Sequence, residues 1–411
     1  MTEQHVAPRT GPSGSHHDLA ERYATAVMNT FGPPKRVLVA GRGCHVWDAD
    51  GRRYLDLMAG IAVNALGHAH PAVVEAMTTQ ASLLGHVSNF FASEPQIDLA
   101  ERLLALTGSG DGRVFFCNSG AEANEAALKI SRRTGRRKIV AAQGAFHGRT
   151  LGALSLTAKA AYREPFEPLP GDVHWVPYGD SGALSAAVDS ETAAIVLEPV
   201  QGEAGVVVPP DGYLAAARRI ADREGALLWL DEVQTGIGRT GRWFGFQAES
   251  EPVRPDVVTL AKGLGGGFPI GACIGLGAAA SLLTPGQHGN TFGGNPVACA
   301  TALAVLDVVE SDGLLESVSQ VGAELSAKLR QVEGVRSVRG RGLLLAAELE
   351  PGTAQPAVAA ALDGGVIVND PTPDAVRLAP ALILQSSHID EALPVLAEAI
   401  AQQRRPAGVA S

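Results

Sequence analysis

Arg113-Val114-Phe115-Phe116-Cys117-Asn118-Ser119-Gly120-Ala121-Glu122-Ala123-Asn124-Glu125-Ala126-Ala127-Leu128-Lys129 reads as a short apolar strand that turns directly into an amphipathic helix. The alternation continues downstream. Strand-like runs recur at KIVAAQ (138–143), AAIVLEP (193–199), ALLWLDE (226–232), VVTLAK (257–262) and IGACIG (270–275), with a helix at GYLAAARRIADREG (212–225). Short apolar strands joined by helices form a mostly parallel sheet covered on both faces. Right-handed crossovers then place the strand C-termini along one edge, where ligands collect.

Upstream of this unit, a helix is expected over Leu19–Thr30, ending before Gly32-Pro33-Pro34. VLVAGRGCHVWDADGRRYLDL (37–57) reads as a strand meander with Asp50-Gly51 as a hairpin turn. A helix follows from Pro71 to about Leu84, with proline in its first turn. Downstream, a long helix runs from Pro296 to about Glu310. GVRSVRGRGLLLAAELE (334–350), a helix near Ala357, VRLAP (376–380) and a closing helix from Ile389 then make a smaller α+β unit. The expected class is α/β: a large domain with a mostly parallel sheet flanked by helices, plus a smaller α+β domain. The expected division is a disordered tail at 1–18, an N-terminal segment at 19–75 packing with the small domain, the large cofactor domain at 76–305, and the small domain at 306–411.

A chain of 411 residues with 46% hydrophobic and 18% charged residues has the balance of a soluble globular protein of more than one core. A net charge of −10 without basic blocks argues against a nucleic-acid surface and for small-molecule substrates or a second copy as partners. Cys44, Cys117, Cys273 and Cys299 form no CxxC pair, which suits small buried thiols in a reducing cytoplasm. The longest apolar run, Phe268–Leu283, is shorter than a membrane span and broken by glycines. His68 and His70 have no third ligand nearby, so no metal site is expected.

Four features fall at strand ends. Ser119 and Glu122 fit a capping box that leaves the amides around Gly120 and Ala121 free at a helix N-terminus, where a phosphate binds well. Phe146, in GAFHGRT (144–150), can stack on a flat ring, and Arg149 carries a fork suited to a carboxylate. Asp231 ends an apolar strand, and a buried carboxylate there needs a cationic partner such as a protonated pyridine nitrogen. Lys262 lies just past another strand before a glycine run, and a desolvated lysine can form a Schiff base with an aldehyde. Each alone has a bland reading: a capped helix, a core Phe, a surface Arg, a turn-capping Asp, a solvated Lys. Together, in this order on one sheet, they match what pyridoxal 5′-phosphate (PLP) requires.

NSGAEANEAALK, FHGRT, LEPVQGEAG, LDEVQTGIGRTG, LAKGLGGGFPIGA, FGGNP and RLAP together resemble the class III aminotransferases of fold type I, and within them the acetylornithine aminotransferases. The resemblance implies that Ser119, Gly120 and Ala121 bind the phosphate. Phe146 and Val233 would contact the ring, Asp231 its nitrogen and Gln234 its hydroxyl, with Lys262 joined to the aldehyde. Thr291 would reach the phosphate of a second subunit, making a homodimer with its active sites at the interface. Glu203 would pair with Arg377 and swing aside when Arg377 takes a substrate α-carboxylate, while Arg149 would clamp acetylornithine. Two residues depart from the family pattern: Asn290 stands where Ser or Thr is usual beside the substrate pocket, and Phe31 where Tyr is common.

The implied reaction moves the δ-amino group of N2-acetyl-L-ornithine to 2-oxoglutarate, giving N-acetyl-L-glutamate 5-semialdehyde and L-glutamate, as in arginine biosynthesis. Lys262 would act as general base and acid in ping-pong halves. Ornithine, succinylornithine and 4-aminobutyrate aminotransferases are the competing readings within the family. A nucleotide-dependent dehydrogenase competes from outside it, because Gly236-Ile237-Gly238-Arg239-Thr240-Gly241 spells GxGxxG; the RWFGFQ that follows is a poor helix start.

Overall fold

The computed structural model describes residues 14–404, so most of the N-terminal tail expected from sequence lies outside the described residues. The first helix runs His16–Ala26 instead of 19–30, and residues 16–18 are helical, not tail. Ser15 supplies the reason: its side chain and that of Asp18 form a capping box across the helix start. At the other end Val27 is already extended, and the Val-Met-Asn-Thr that follows includes weak helix formers.

Fifteen strands form three sheets. The N-terminal meander consists of β1 (Leu38–Arg42), β2 (His45–Asp48) and β3 (Arg53–Asp56), with Gly51 at φ +84° in the β2–β3 hairpin turn. Two residues from far downstream, β13 (Val366–Ile367), pair parallel with β3 and extend this sheet to four strands. The C-terminal sheet is β11 (Ser337–Arg341), β12 (Leu344–Glu348), β14 (Asn369–Thr372) and β15 (Ala375–Leu378), all antiparallel in the order β11-β12-β15-β14.

The central sheet has seven strands: β4 (Gly112–Cys117), β5 (Lys138–Ala142), β6 (Asp172–Val176), β7 (Thr192–Leu197), β8 (Leu227–Asp231), β9 (Val257–Leu260) and β10 (Gly271–Leu276). Their order is β4-β10-β9-β8-β7-β5-β6. β10 alone runs against its neighbours, so the C-termini of the other six share one edge. β7, β9 and β10 are buried at every position, which explains why they read as unbroken apolar runs. β6, at the sheet edge, alternates in exposure and gave no such run.

The helix Pro296–Ser311 packs on the helices Pro71–Leu83 and Glu94–Thr107. The closing helix runs Ser386–Ala401, three residues earlier than expected, because Gln385 and His388 cap it. All four cysteines are free and buried. No helix among the described residues is long and apolar enough to cross a membrane.

Candidate active site

Five strands of the central sheet end at one cavity of about 430 Å³, lined by residues that follow β4, β5, β7, β8 and β9. After β4, Ser119 caps the helix Gly120–Arg132 by accepting the N–H of Glu122 at 3.2 Å. Glu122 reaches back to the N–H of Asn118 at 2.6 Å. The N–H groups of Gly120 and Ala121 are left without an acceptor among the described residues, and both residues line the cavity. A helix terminus with free amides is a ready anion site.

After β8, Asp231 is buried and held on three sides. Its Oδ2 accepts Nδ1 of His147 at 2.6 Å and Nδ2 of Asn124 at 2.8 Å, and its Oδ1 accepts the N–H of Val233 at 3.0 Å. Burial disfavours charge on His147, yet the hydrogen bond and charge of Asp231 outweigh it and raise the imidazole pKa above its usual value. Nε2 of His147 and Oδ1 of Asn124 have no partner among the described residues. Phe146, from the loop after β5, and Val233, from the turn after β8, both line the cavity. The backbone of Gly120 passes so close to Val233 that a Cβ there would sit 2.8 Å from its Cγ1, so the helix start is packed against the turn after β8.

Lys262 follows β9 with φ +41°, a left-handed conformation that is strained for a lysine and aims its amine into the cavity. Burial lowers its pKa, partly opposed by Glu203 and Asp231. Glu198, the residue after β7, is buried and accepts the N–H groups of Phe146 at 3.1 Å and Gly202 at 3.3 Å; burial pushes its pKa up to about 7.

Arg377, on β15 of the C-terminal sheet, is buried behind the cavity. It donates to Oε1 of Glu203 at 2.5 Å, to Oε1 of Gln234 at 3.2 Å and to Oδ1 of Asn369 at 3.1 Å, while its Nη2 has no partner. Burial opposes charge on Glu203, but the Arg377 charge and hydrogen bond keep its pKa below the usual value. Arg149 lines the cavity with its guanidinium 3.4 Å from the centroid of the Tyr162 ring and 5.7 Å from that of Phe146. It makes no hydrogen bond among the described residues, so its donors are available to a ligand.

Ser119, Gly120, Ala121, Phe146, Arg149, Glu203, Asp231, Val233, Gln234 and Lys262 therefore converge on one cavity, with Arg377 joined to it through Glu203 and Gln234. Asn290 and Thr291 do not line it. The side chain of Asn290 donates to Phe116 O at 2.9 Å and accepts Gly293 N at 2.5 Å, so both ends of the amide hold the 290–293 turn against β4. Thr291 is exposed, and Phe31 is 93% exposed, away from the cavity. The GxGxxG stretch forms buried turns with no helix, and Arg239 within it is spent on the carbonyls of Leu343 and Pro380. His68 is spent on Asp56 at 2.8 Å.

Sequence reasoning passed over Asn124, His147, Glu198 and Tyr162. Glu198 carries the same signal that singled out Asp231, an acid at the end of an apolar run. His147 sits beside Phe146 in the same loop. Nothing in the sequence ties Tyr162 to Arg149.

The family model of the class-III aminotransferases matches residues 27–400. The chain belongs to that family. This aminotransferase is 57% identical to an acetylornithine aminotransferase of Streptomyces coelicolor over 384 residues, 93% of this chain and 95% of the relative. It is equally 57% identical to one of Mycobacterium tuberculosis over 393 residues, 94% and 98% of the two chains. Among solved structures, the N-acetylornithine aminotransferase of Stenotrophomonas maltophilia superposes with a TM-score of 0.79 at 37% identity, covering 91% of this chain and 98% of that one. The ornithine aminotransferase of Toxoplasma gondii, with PLP at partial occupancy in its active site, gives 0.89 at 31% identity, covering 95% and 96%.

Proposed function

We propose that this aminotransferase uses PLP to move the δ-amino group of N2-acetyl-L-ornithine to 2-oxoglutarate. The observation that carries the cofactor reading is one cavity holding two unpartnered helix amides, the side chains of Phe146 and Val233, a braced Asp231 and Lys262. The donor set fits the group: amides for a phosphate, a carboxylate for a pyridinium nitrogen, an amine for an aldehyde. When bound, PLP supplies the electrophilic aldehyde and the electron-withdrawing ring that exchange of an amino group for a carbonyl requires.

The chain's own residues do the rest. Ser119, Gly120 and Ala121 would hold the phosphate, Phe146 and Val233 would contact the ring, and Gln234 would reach its hydroxyl. Asp231, fixed by His147 and Asn124, holds positive charge at the ring nitrogen. Nζ of Lys262 would hold the aldehyde and, with a pKa lowered by burial, could carry a proton as base and acid. Arg149 grips the carboxylate of the amine donor, with its guanidinium already fixed by the Tyr162 ring. Arg377, with Nη2 unpartnered, receives the α-carboxylate of 2-oxoglutarate or glutamate when Glu203 moves aside. The names of the relatives support acetylornithine over ornithine, succinylornithine or 4-aminobutyrate.

A homodimer belongs to the same reading. Phe90 and Phe91 are largely exposed, as is Phe292 beside Thr291, and Asn89 bonds Gly293 O at 3.1 Å, tying the two segments into one apolar face. A second copy on that face would cover these rings and bring its Thr291 toward the phosphate end of the cavity.

The test is kcat/KM for the four amine donors with 2-oxoglutarate. Acetylornithine leading the others by tenfold or more supports the assignment; another donor in front moves it within the family.

A further inference from the structure

Two arginines stand in one row of the C-terminal sheet. Arg339 on β11 lies opposite Ala346 on β12, and Ala346 lies opposite Arg377 on β15. Directly opposed residues share a face of the sheet, and the segment 201–207 lies against that face. Arg377 holds the carboxylate of Glu203, while Nε of Arg339 donates to the carbonyl of Gly205 at 2.7 Å. Between them, Val206 is buried in one cluster with Ala346 and Ala375.

The segment is over-determined. Val206 has φ +58°, costly for a β-branched residue, yet it is fully buried and fixed. Gly205, at φ +88°, comes so close to the sheet that a Cβ would lie 2.8 Å from Nη2 of Arg339. Reciprocal backbone bonds between Gln201 and Val207, at 3.0 and 2.9 Å, close the base of the loop. Arg339 is itself braced by Glu348 at 3.3 Å.

The two clamps differ in kind. Arg377 holds a side chain that is one-third exposed and can change rotamer. Arg339 holds a main-chain carbonyl in a strained segment, so releasing it moves the backbone. We propose that Arg339 is a positioning residue that pins the 202–206 backbone, so that Glu203 alone swings between covering and uncovering Arg377, and that Arg339 thereby sets how strongly a substrate carboxylate must compete for Arg377. The inference rests on the reading of Arg377 as the carboxylate anchor. Without Arg339 the strained loop relaxes from the sheet, Glu203 covers Arg377 less well, and dicarboxylates bind more easily.

The experiment is calorimetric titration of glutarate, a dicarboxylate with no amine to react, into the PLP-loaded full-length enzyme. Glu203→Gln should tighten glutarate at least tenfold. Arg339→Gln should tighten it about five- to tenfold, the scale of one typical net hydrogen bond, but less than twofold when added to Glu203→Gln. Arg339→Lys, which keeps one donor, should restore most of the wild-type affinity. Gly205→Ala forces the same separation from the loop side and should act with the same sign. In turnover, Arg339→Gln should raise kcat/KM for glutamate relative to that for acetylornithine. Unchanged or weaker glutarate binding in Arg339→Gln overturns the proposal, as does an equal effect with and without Glu203. If Glu203→Gln itself fails to tighten glutarate, the anchor role of Arg377 is what falls.

Discussion

Asp231→Asn tests the buried network under the cavity. In the native protein Oδ2 of Asp231 accepts two donors, the His147 ring at 2.6 Å and the Asn124 amide at 2.8 Å. An asparagine either turns its own N–H groups toward those donors or turns them toward the N–H of Val233, so one contact becomes repulsive in either orientation. His147 loses the partner that raises its pKa, and with its Nε2 already unpartnered it must become neutral in a dry site. Removing one partner of a buried ion pair costs roughly 3–5 kcal/mol. The sign with pH follows from His147. Its folded-state pKa lies above the unfolded value of 6.5, so its contribution is complete below pH 6.5 and is lost as pH rises through the folded value. The gap in unfolding free energy between wild type and Asp231→Asn, measured with urea on the cofactor-free protein, should therefore be widest near pH 6 and shrink toward pH 9. A cost under about 1 kcal/mol at pH 6, or a gap that widens with pH, refutes the reasoning.

Glu198 titrates in the opposite stability sense from a paired acid. Its folded pKa of about 7 exceeds the ordinary 4.5 of a glutamate, so stability should fall between those pH values, by roughly 3 kcal/mol at most; Glu198→Gln should abolish that fall in urea unfolding at pH 5 and 8. Gly148→Ala places a Cβ 2.8 Å from the Ala121 Cβ and 2.9 Å from that of Ala153, and neither methyl can rotate away. It should destabilise the protein by about 1–3 kcal/mol and weaken PLP binding at least tenfold in fluorescence titration. Arg377→Met should lower kcat/KM for glutamate by about 10²-fold, the worth of a two-pronged charged contact, and that for acetylornithine by less than tenfold.

The sheet and its active edge were legible because six apolar strands announce themselves by composition, and because acid, lysine and capped helix follow several of them directly. β6 was not legible, since an edge strand half in solvent loses the apolar run. Helix ends moved by three or four residues wherever a side-chain cap decided them, as at Ser15 and Gln385. The cavity floor was read in part: Asp231 was singled out, but its brace, His147 and Asn124, depends on side chains meeting across 84 and 107 residues of chain. Asn290 was singled out from its place in a motif; within the chain its amide bonds Phe116 O and Gly293 N, contacts that no local sequence pattern announces. Arg339 carried no signal at all, because its partner is a backbone carbonyl 134 residues away.

The most direct measurement is a single turnover of the purified, PLP-loaded enzyme with acetylornithine and no acceptor. The account predicts rapid loss of the visible cofactor absorbance with one equivalent of semialdehyde released per site, return of the absorbance on adding 2-oxoglutarate, and silence in Lys262→Ala. A wild-type enzyme whose absorbance is indifferent to acetylornithine, yet responds to ornithine or 4-aminobutyrate, contradicts it.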